Sequence, residues 1–406
     1  MDYKQITFRF ERWRAVAAGI FETAGSTFLL LIAVQYFQAG STAKALIATG
    51  GSAGLILSPF VVSWVTSLGW RASQAAAVLA AAGGASLLAV IIVPSLPVFV
   101  GGSMFALVCV AAAIPLLTQV YQDNYPDHER GRLFSRTIMI RIAMAAAFSH
   151  FGGVMLTGHL ARFRWLLLIF AGALLASAYC LSRCPSRPLV SDGGTNWLRP
   201  MRFIRQDKVF RLTLISWMLM GIGNLMMLPL RVEYLANPKH GLALQAATIA
   251  LLTGVIPNVA RLVMSPIWGR LFDTINFFLL RIILNLGFAL GILTFFTGDS
   301  WAGLIIGSLM FGVSLAGGDV AWSLWVTKIA PPDRVAEYMA VHTFLTGVRG
   351  VFAPLLAFHL VATIPFRWVA AASGVLIVVA CLFLVPEVRL AKRRRPASPL
   401  VEEVSE

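Results

Sequence analysis

Glu22, Arg141, Arg261, Asp319 and Arg349 are ionisable residues inside long apolar tracts of a 406-residue chain. A charge in such surroundings is costly, so groups of this kind face one another or a water-filled cavity. A carboxylate can take up and release a proton, and a guanidinium presents a planar fork to carboxylate or phosphate oxygens. Glu22 lies eight residues past Arg14 and Arg141 nine past Arg132, while Asp319 lies nine before Lys328 and Arg261 nine before Arg270. At about 1.5 Å per residue, all four stand roughly 12–14 Å from the basic ends of their tracts, near the middle of a core about 30 Å thick. The expected pairs are Glu22 with Arg141, and Asp319 with Arg261 or Arg349. Such pairs can line a cavity or simply knit a bundle together, and both roles stay open.

Weaker candidates surround these five. Asn224 and Asn258, with Gln35 and Trp217, offer hydrogen bonds to a solute or equally to a neighbouring helix. His342, like His150 and His359, has no metal-ligand spacing and reads as a polar bundle residue; no metal site and no cofactor is expected. Arg231 and Glu233 fall near the end of their tract, where snorkelling to the surface suffices.

The elements that must hold these residues follow from composition. The chain is 58% hydrophobic and 13% charged, about half the charge of soluble domains. Its net charge of +15 does not indicate nucleic-acid binding, because the basic residues occupy the short gaps between apolar runs, where they face lipid headgroups. The four cysteines make no disulfide framework: Cys109 and Cys381 lie in apolar runs, and Cys180 and Cys184 sit beside a basic segment. The charged start (Lys4, Arg9, Glu11, Arg12, Arg14) precedes an apolar run too long for a cleaved leader, so it reads as a retained first span.

Twelve windows satisfy the length of about 20 apolar residues that a membrane helix needs. They are 15–37, 45–67, 72–93, 98–121, 133–157, 165–181, 212–235, 243–267, 277–297, 301–327, 336–361 and 366–385. An all-α integral membrane fold is therefore expected, with residues 1–182 as one six-helix bundle and 212–386 as the second. Residues 183–211 form a basic linker and 387–406 a tail. With the amino terminus inside, and with Arg136 and Arg367 at the ends of their windows counted with the loops they adjoin, 23 Lys and Arg fall on the inner side and five on the outer, the remaining five lying within spans. That bias places both termini and the linker in the cytoplasm, in the plasma or inner membrane of the cell. The piece from Trp197 to Phe210 is amphipathic and expected along the inner leaflet.

The halves repeat at an offset of about 206 residues. Ser58-Pro59 meets Ser265-Pro266, Met104-Phe105 meets Met310-Phe311, and Pro126-Asp127 meets Pro332-Asp333. Six spans is an even number, so the repeats run parallel about an axis along the membrane normal.

Six plus six spans, a basic central loop and a parallel repeat resemble the major facilitator superfamily over nearly the whole chain. The family's loop motif, Gly-x-x-x-Asp-Arg-x-Gly-Arg-Arg, is eroded in both copies. SPIWGRLFD after span 8 keeps Gly269 and Asp273, whereas VVSWVTSLGWR after span 2 keeps Gly69 and Arg71, with Val62 and Thr66 where Gly and Asp are expected. Arg130-Gly131-Arg132 after span 4 is similar to family loops too. Asp273 would cap a helix, pair with an Arg or remain solvated. The Gly-Pro antiporter motif of span 5 is missing. The resemblance implies that spans 3, 6, 9 and 12 are outer supports, and these hold no ionisable interior residue except Arg281 near the inner end of span 9.

By this resemblance the expected activity is secondary transport of a small solute by alternating access, by a monomer in the bilayer, with protons as coupling ion. Glu22 and Asp319 would carry the proton. Three arginines against two carboxylates leave one excess positive charge, which leans toward an anionic or strongly polar solute. A drug or metabolite efflux antiporter, a facilitator or exchanger and a transporter-like receptor are the alternatives. Gly50-Gly51-Ser52-Ala53-Gly54 formally matches the serine-hydrolase elbow, which needs a strand-turn-helix setting. In span 2 its small residues suit close helix packing instead.

Overall fold

The structure is a computed structural model that describes residues 3–189, 199–240, 242–297, 300–330 and 335–394. Twelve helices are long and apolar enough to cross a membrane. They are α1 (Tyr3–Gln35), α2 (Ser41–Ser67), α3 (Ala72–Ile92), α4 (Leu96–Asn124), α5 (Glu129–Leu156) and α6 (Leu160–Ser182). Then follow α7 (Lys208–Ala236), α8 (Ala246–Thr274), α9 (Phe277–Thr297), α10 (Trp301–Trp322), α11 (Tyr338–Leu360) and α12 (Phe366–Arg389). The chain is a multi-pass membrane protein. Among the described residues the extended structure is limited to a bridge between Arg71 and Pro188.

α1 begins a dozen residues before its apolar run because its charges are satisfied inside the fold. Glu11 is 1% exposed; it accepts from Arg14 Nε at 2.6 Å and from Tyr121 of α4 at 2.9 Å. Lys4 pairs with Glu129 at the foot of α5. The amphipathic piece is not one helix. A 3₁₀ turn at Arg199–Arg202 and a helical turn at Phe203–Gln206 end at Asp207, whose carboxylate caps α7 by accepting from Phe210 N at 2.9 Å. Asp207 also accepts from Tyr338, whose ring stacks on Phe203, tying this segment to α11. Trp197 and the rest of 190–198, the end of the tail, and the repeat partner Pro332-Asp333-Arg334 lie outside the described residues.

Within the first six helices the main packing joins α3 to α6, α2 to α4, α1 to α5, α3 to α4 and α1 to α6. Within the second six it joins α9 to α10, α8 to α10, α7 to α12, α9 to α12 and α7 to α11. α3, α6, α9 and α12 thus pack mainly on members of their own half. Contact between the halves runs along α2–α11, α5–α8 and the upper parts of α1 and α7.

The α2–α11 seam explains the small-residue run. A Cβ at Gly350 would strike the Ser52 side chain, and one at Gly347 would come 3.0 Å from Ile56 N. Gly54 faces the other way, onto Val108 and Ala111 of α4. Ser52 is half-buried at a helix crossing, which is no setting for a nucleophile elbow. The four cysteines are free and buried.

Candidate functional site

Two close helix approaches place the central charges. A Cβ at Gly19 would strike the Arg141 carbonyl, so α1 and α5 meet one turn before Glu22. A Cβ at Gly312 would strike the Pro257 carbonyl, so α8 and α10 meet one turn before Arg261 and two before Asp319. Glu22 and Arg261 are then brought together by a third feature, absent from the sequence reading. α1 carries a π-turn at Ala24–Phe28 and α8 one at Leu251–Val255. They face each other, with Thr27 and Thr253 hydroxyls 3.0 Å apart. Such bulges rotate the chain and occur often at functional sites.

Arg261 is the shared member of the cluster. Its Nη1 donates to Glu22 Oε1 at 2.6 Å and its Nε to Asp319 Oδ2 at 2.6 Å. Arg141 Nε lies 3.0 Å from the other Glu22 oxygen. The side chains of Glu22, Asp319 and Arg141 are 28%, 39% and 37% exposed, against 7% for Arg261. The carboxylates therefore border open space while the guanidinium between them is enclosed. Both expected pairs form, and the Glu22–Arg261 bond across the halves adds a link that no span-by-span reading contains.

Arg349 stands apart. Its Nη1 donates to the Trp217 carbonyl, and its guanidinium lies where a Cβ at Gly221 would be. It faces the interior of the second bundle and is 6% exposed. His342 is buried against Trp217 and Trp325. Asn224 Oδ1 is buried without a hydrogen-bond partner, and Asn258 is half-buried on α8. Gln35 reaches across to the Leu244 carbonyl at the far end of the seam, 3.0 Å away.

Arg231 and Glu233 do not snorkel: they are 3% and 2% exposed. Glu233 accepts from Lys44 of α2 at 2.5 Å and from Asn237 at 2.8 Å, with His240 Nε2 3.7 Å away. Lys44 also lines a cavity of about 970 Å³, bordered by the far ends of α1, α2, α5, α6, α7 and α8. Arg231 lies 4.4 Å over the Phe311 ring. Sequence spacing missed both because Glu233 is covered by Lys44 of the other half and Arg231 by Phe311 of α10.

The loop residues act locally. Gly69 has φ of +63°, the left-handed turn that ends α2. Arg71 precedes α3, and the bridge to Pro188 ties this loop to the linker. Arg130 donates to the Tyr125 carbonyl at 3.2 Å and Arg132 to Glu129 at 2.5 Å. Gly131 and Gly269 have open space where a Cβ would go. Asp273 is exposed with no hydrogen bond described, and Asn276 performs the capping, accepting from Phe278 N at 2.9 Å. No group of three or more potential metal ligands occurs among the described residues.

The described hydrogen bonds between the halves all lie at the Glu22–Arg261 level or beyond it, toward the end away from the termini. Thr27–Thr253, Gln35–Leu244, Thr42–His359, Lys44–Glu233 and Thr157–Ala247 make up the rest. Two six-helix halves joined at one end around central charges match solved structures over nearly the whole chain. A nucleoside transporter, NupG, aligns with a TM-score of 0.71 at 12% identity, covering 95% of this chain and 99% of its own. The xylose transporter XylE from E. coli, in a partially occluded inward-open conformation, aligns at 0.64 and 17%, covering 95% of each. A bacterial homolog of the human lysosomal transporter Spinster, inward-facing and occupied, aligns at 0.68 and 13%, covering 98% and 100%. The Major Facilitator Superfamily sequence model matches residues 236–405. The second half of the chain thus matches this family by sequence, and the chain as a whole shares the fold of these solved transporters. No curated protein matches. The π-turns of α1 and α8 meet across the two halves.

Proposed function

We propose that the chain is a secondary transporter that moves a small polar solute by alternating access and couples it to protons through Glu22 and Asp319. The carrying observation is Arg261, bound at once to Glu22 of the first half and Asp319 of the second. Protonating either carboxylate removes one partner charge and loosens the link between halves at mid-depth. A solute that hydrogen-bonds the same groups competes for the same link. The bias of basic residues supports termini and linker on the cytoplasmic side, and in that orientation the conformation is joined on the outer side.

The solute reading shifts with Arg349. Once that guanidinium is engaged inside the second bundle, Arg141 and Arg261 are matched in number by Glu22 and Asp319. The cluster is then neutral and suits an uncharged polar solute better than an anion. Proteins of like fold named as a nucleoside transporter and a D-xylose–proton symporter support this class. A polar-metabolite efflux antiporter would use the same link in reverse.

The test is transport in proteoliposomes after a thermal-shift screen of polar metabolites has named a substrate. Glu22→Gln and Asp319→Asn are expected to abolish uptake driven by a proton gradient while retaining counterflow exchange. Accumulation up a proton gradient by both variants would sink the coupling role.

A further inference from the structure

Trp217 of α7 is the centre of a second charged cluster, enclosed within the second bundle. The Arg281 guanidinium from α9 lies 3.5 Å from the Trp217 ring centroid, and that of Arg349 from α11 lies 5.8 Å from it. His342 of α11 and Trp325, just past α10, complete it. The His342 ring is 5.1 Å from each indole, and the indoles are 5.8 Å apart. Arg281 and His342 are each 1% exposed, Trp325 0%, Trp217 3% and Arg349 6%.

What these buried groups share is unspent donors. Arg281 Nε, Nη1 and Nη2, Arg349 Nε, both indole Nε1 atoms and His342 Nε2 have no hydrogen-bond partner among the described residues. The bond from Arg349 Nη1 to the Trp217 carbonyl is the one described for either guanidinium. No described ion pair reaches either arginine, whereas Arg261 has two. A guanidinium stacked on an indole recovers part of its lost hydration, but a buried charge is kept at equilibrium by a counter-charge or hydrogen bonds. Two guanidinium forks and single N–H donors gathered around the Trp217 ring suit the oxygens of a compact oxyanion.

We infer that Arg281, Arg349, His342, Trp217 and Trp325 form an anion-binding site inside the second bundle, for a ligand carrying a carboxylate or phosphate group. The site is built of other residues than the Glu22–Arg261–Asp319 link and does not depend on the transport reading. A free oxyanion and a lipid phosphate present the same chemistry, so the experiment separates them.

Purified protein in neutral detergent is unfolded thermally at constant ionic strength while chloride is replaced by inorganic phosphate or acetate. Native mass spectrometry of the same preparation reads co-purified phospholipid. A saturable rise in Tm assigns a free oxyanion; a phospholipid adduct that survives delipidation assigns a lipid phosphate. In Arg281→Gln either response should weaken by about tenfold. Arg281→Met supplies a reading by sign. Without ligand it should unfold above the wild type, having lost an unpaired charge, and with saturating ligand below it. Should these variants not fold, Trp325→Phe keeps the ring, removes one donor and should raise the half-saturating concentration severalfold. A wild type that answers to neither source overturns the site, as does an unchanged response in Arg281→Gln or, failing that, in Trp325→Phe.

Discussion

Arg261 shows how one side chain can join two bundles. With bonds of 2.6 Å to carboxylates from α1 and α10, it holds two like charges together that would otherwise repel. Arg261→Ala is expected to cost about 2 kcal/mol, below the full figure for breaking a buried pair because both carboxylates are partly exposed. The loss would appear as a lower Tm in detergent. Arg261→Lys restores the charge without the fork, so it should recover most of the stability and little of the transport. Cys184 gives a prediction outside the membrane spans. It is 4% exposed, and burial, with Glu11 nearby, pushes its thiol up to about 12. Because the thiolate is the reactive form, Cys184 should resist maleimide from pH 7 to pH 9 in the folded protein and react once it is unfolded. Rapid labelling of the native protein at pH 7 would contradict this burial.

At the scale of elements, glycines decide how the halves meet. Ser52 and Ile56 of α2 lie against Gly350 and Gly347 of α11, with no room for a Cβ at Gly350. Gly350→Leu is therefore expected to leave each bundle folded while preventing this seam from closing. The population should shift toward a form open at the far end. The measurement is alkylation of Thr27→Cys, whose hydroxyl position is buried where α1 meets α8, the neighbouring contact between the halves that must part with this seam. Its rate should rise by about tenfold when Gly350→Leu is added, and an unchanged rate would show that the seam tolerates the side chain. The Lys44–Glu233 pair belongs to the same closure. Glu233→Gln leaves Lys44, 6% exposed, without its counter-charge and should open the far end in the same assay.

For the whole molecule, the distribution of basic residues gives the expected direction in the membrane, with both termini inside. Gln206 and Lys239 are exposed at opposite ends of α7. In intact cells, an impermeant thiol reagent should label Lys239→Cys and spare Gln206→Cys in a background without native cysteines. The reverse pattern would invert the orientation.

What the sequence determined by itself was the environment and the coarse architecture. Apolar tracts of bilayer length have to become helices, because hydrocarbon leaves no other partner for the backbone. Spacing along a helix also fixed the depth of Glu22, Arg141, Arg261 and Asp319, since rise per residue is constant. Depth is not direction, however. Whether Arg349 meets the other four depends on rotation about the α11 axis, and Gly221 together with the Trp217 carbonyl turns it inward. Arg231 and Glu233 looked peripheral because chain position says nothing about which helix covers their end of α7. The Glu22–Arg261 bond needed a register between two residues 239 positions apart, in different halves, set by glycine approaches and facing π-turns. Those contacts exist only once the helices pack, so they belong to the tertiary structure alone.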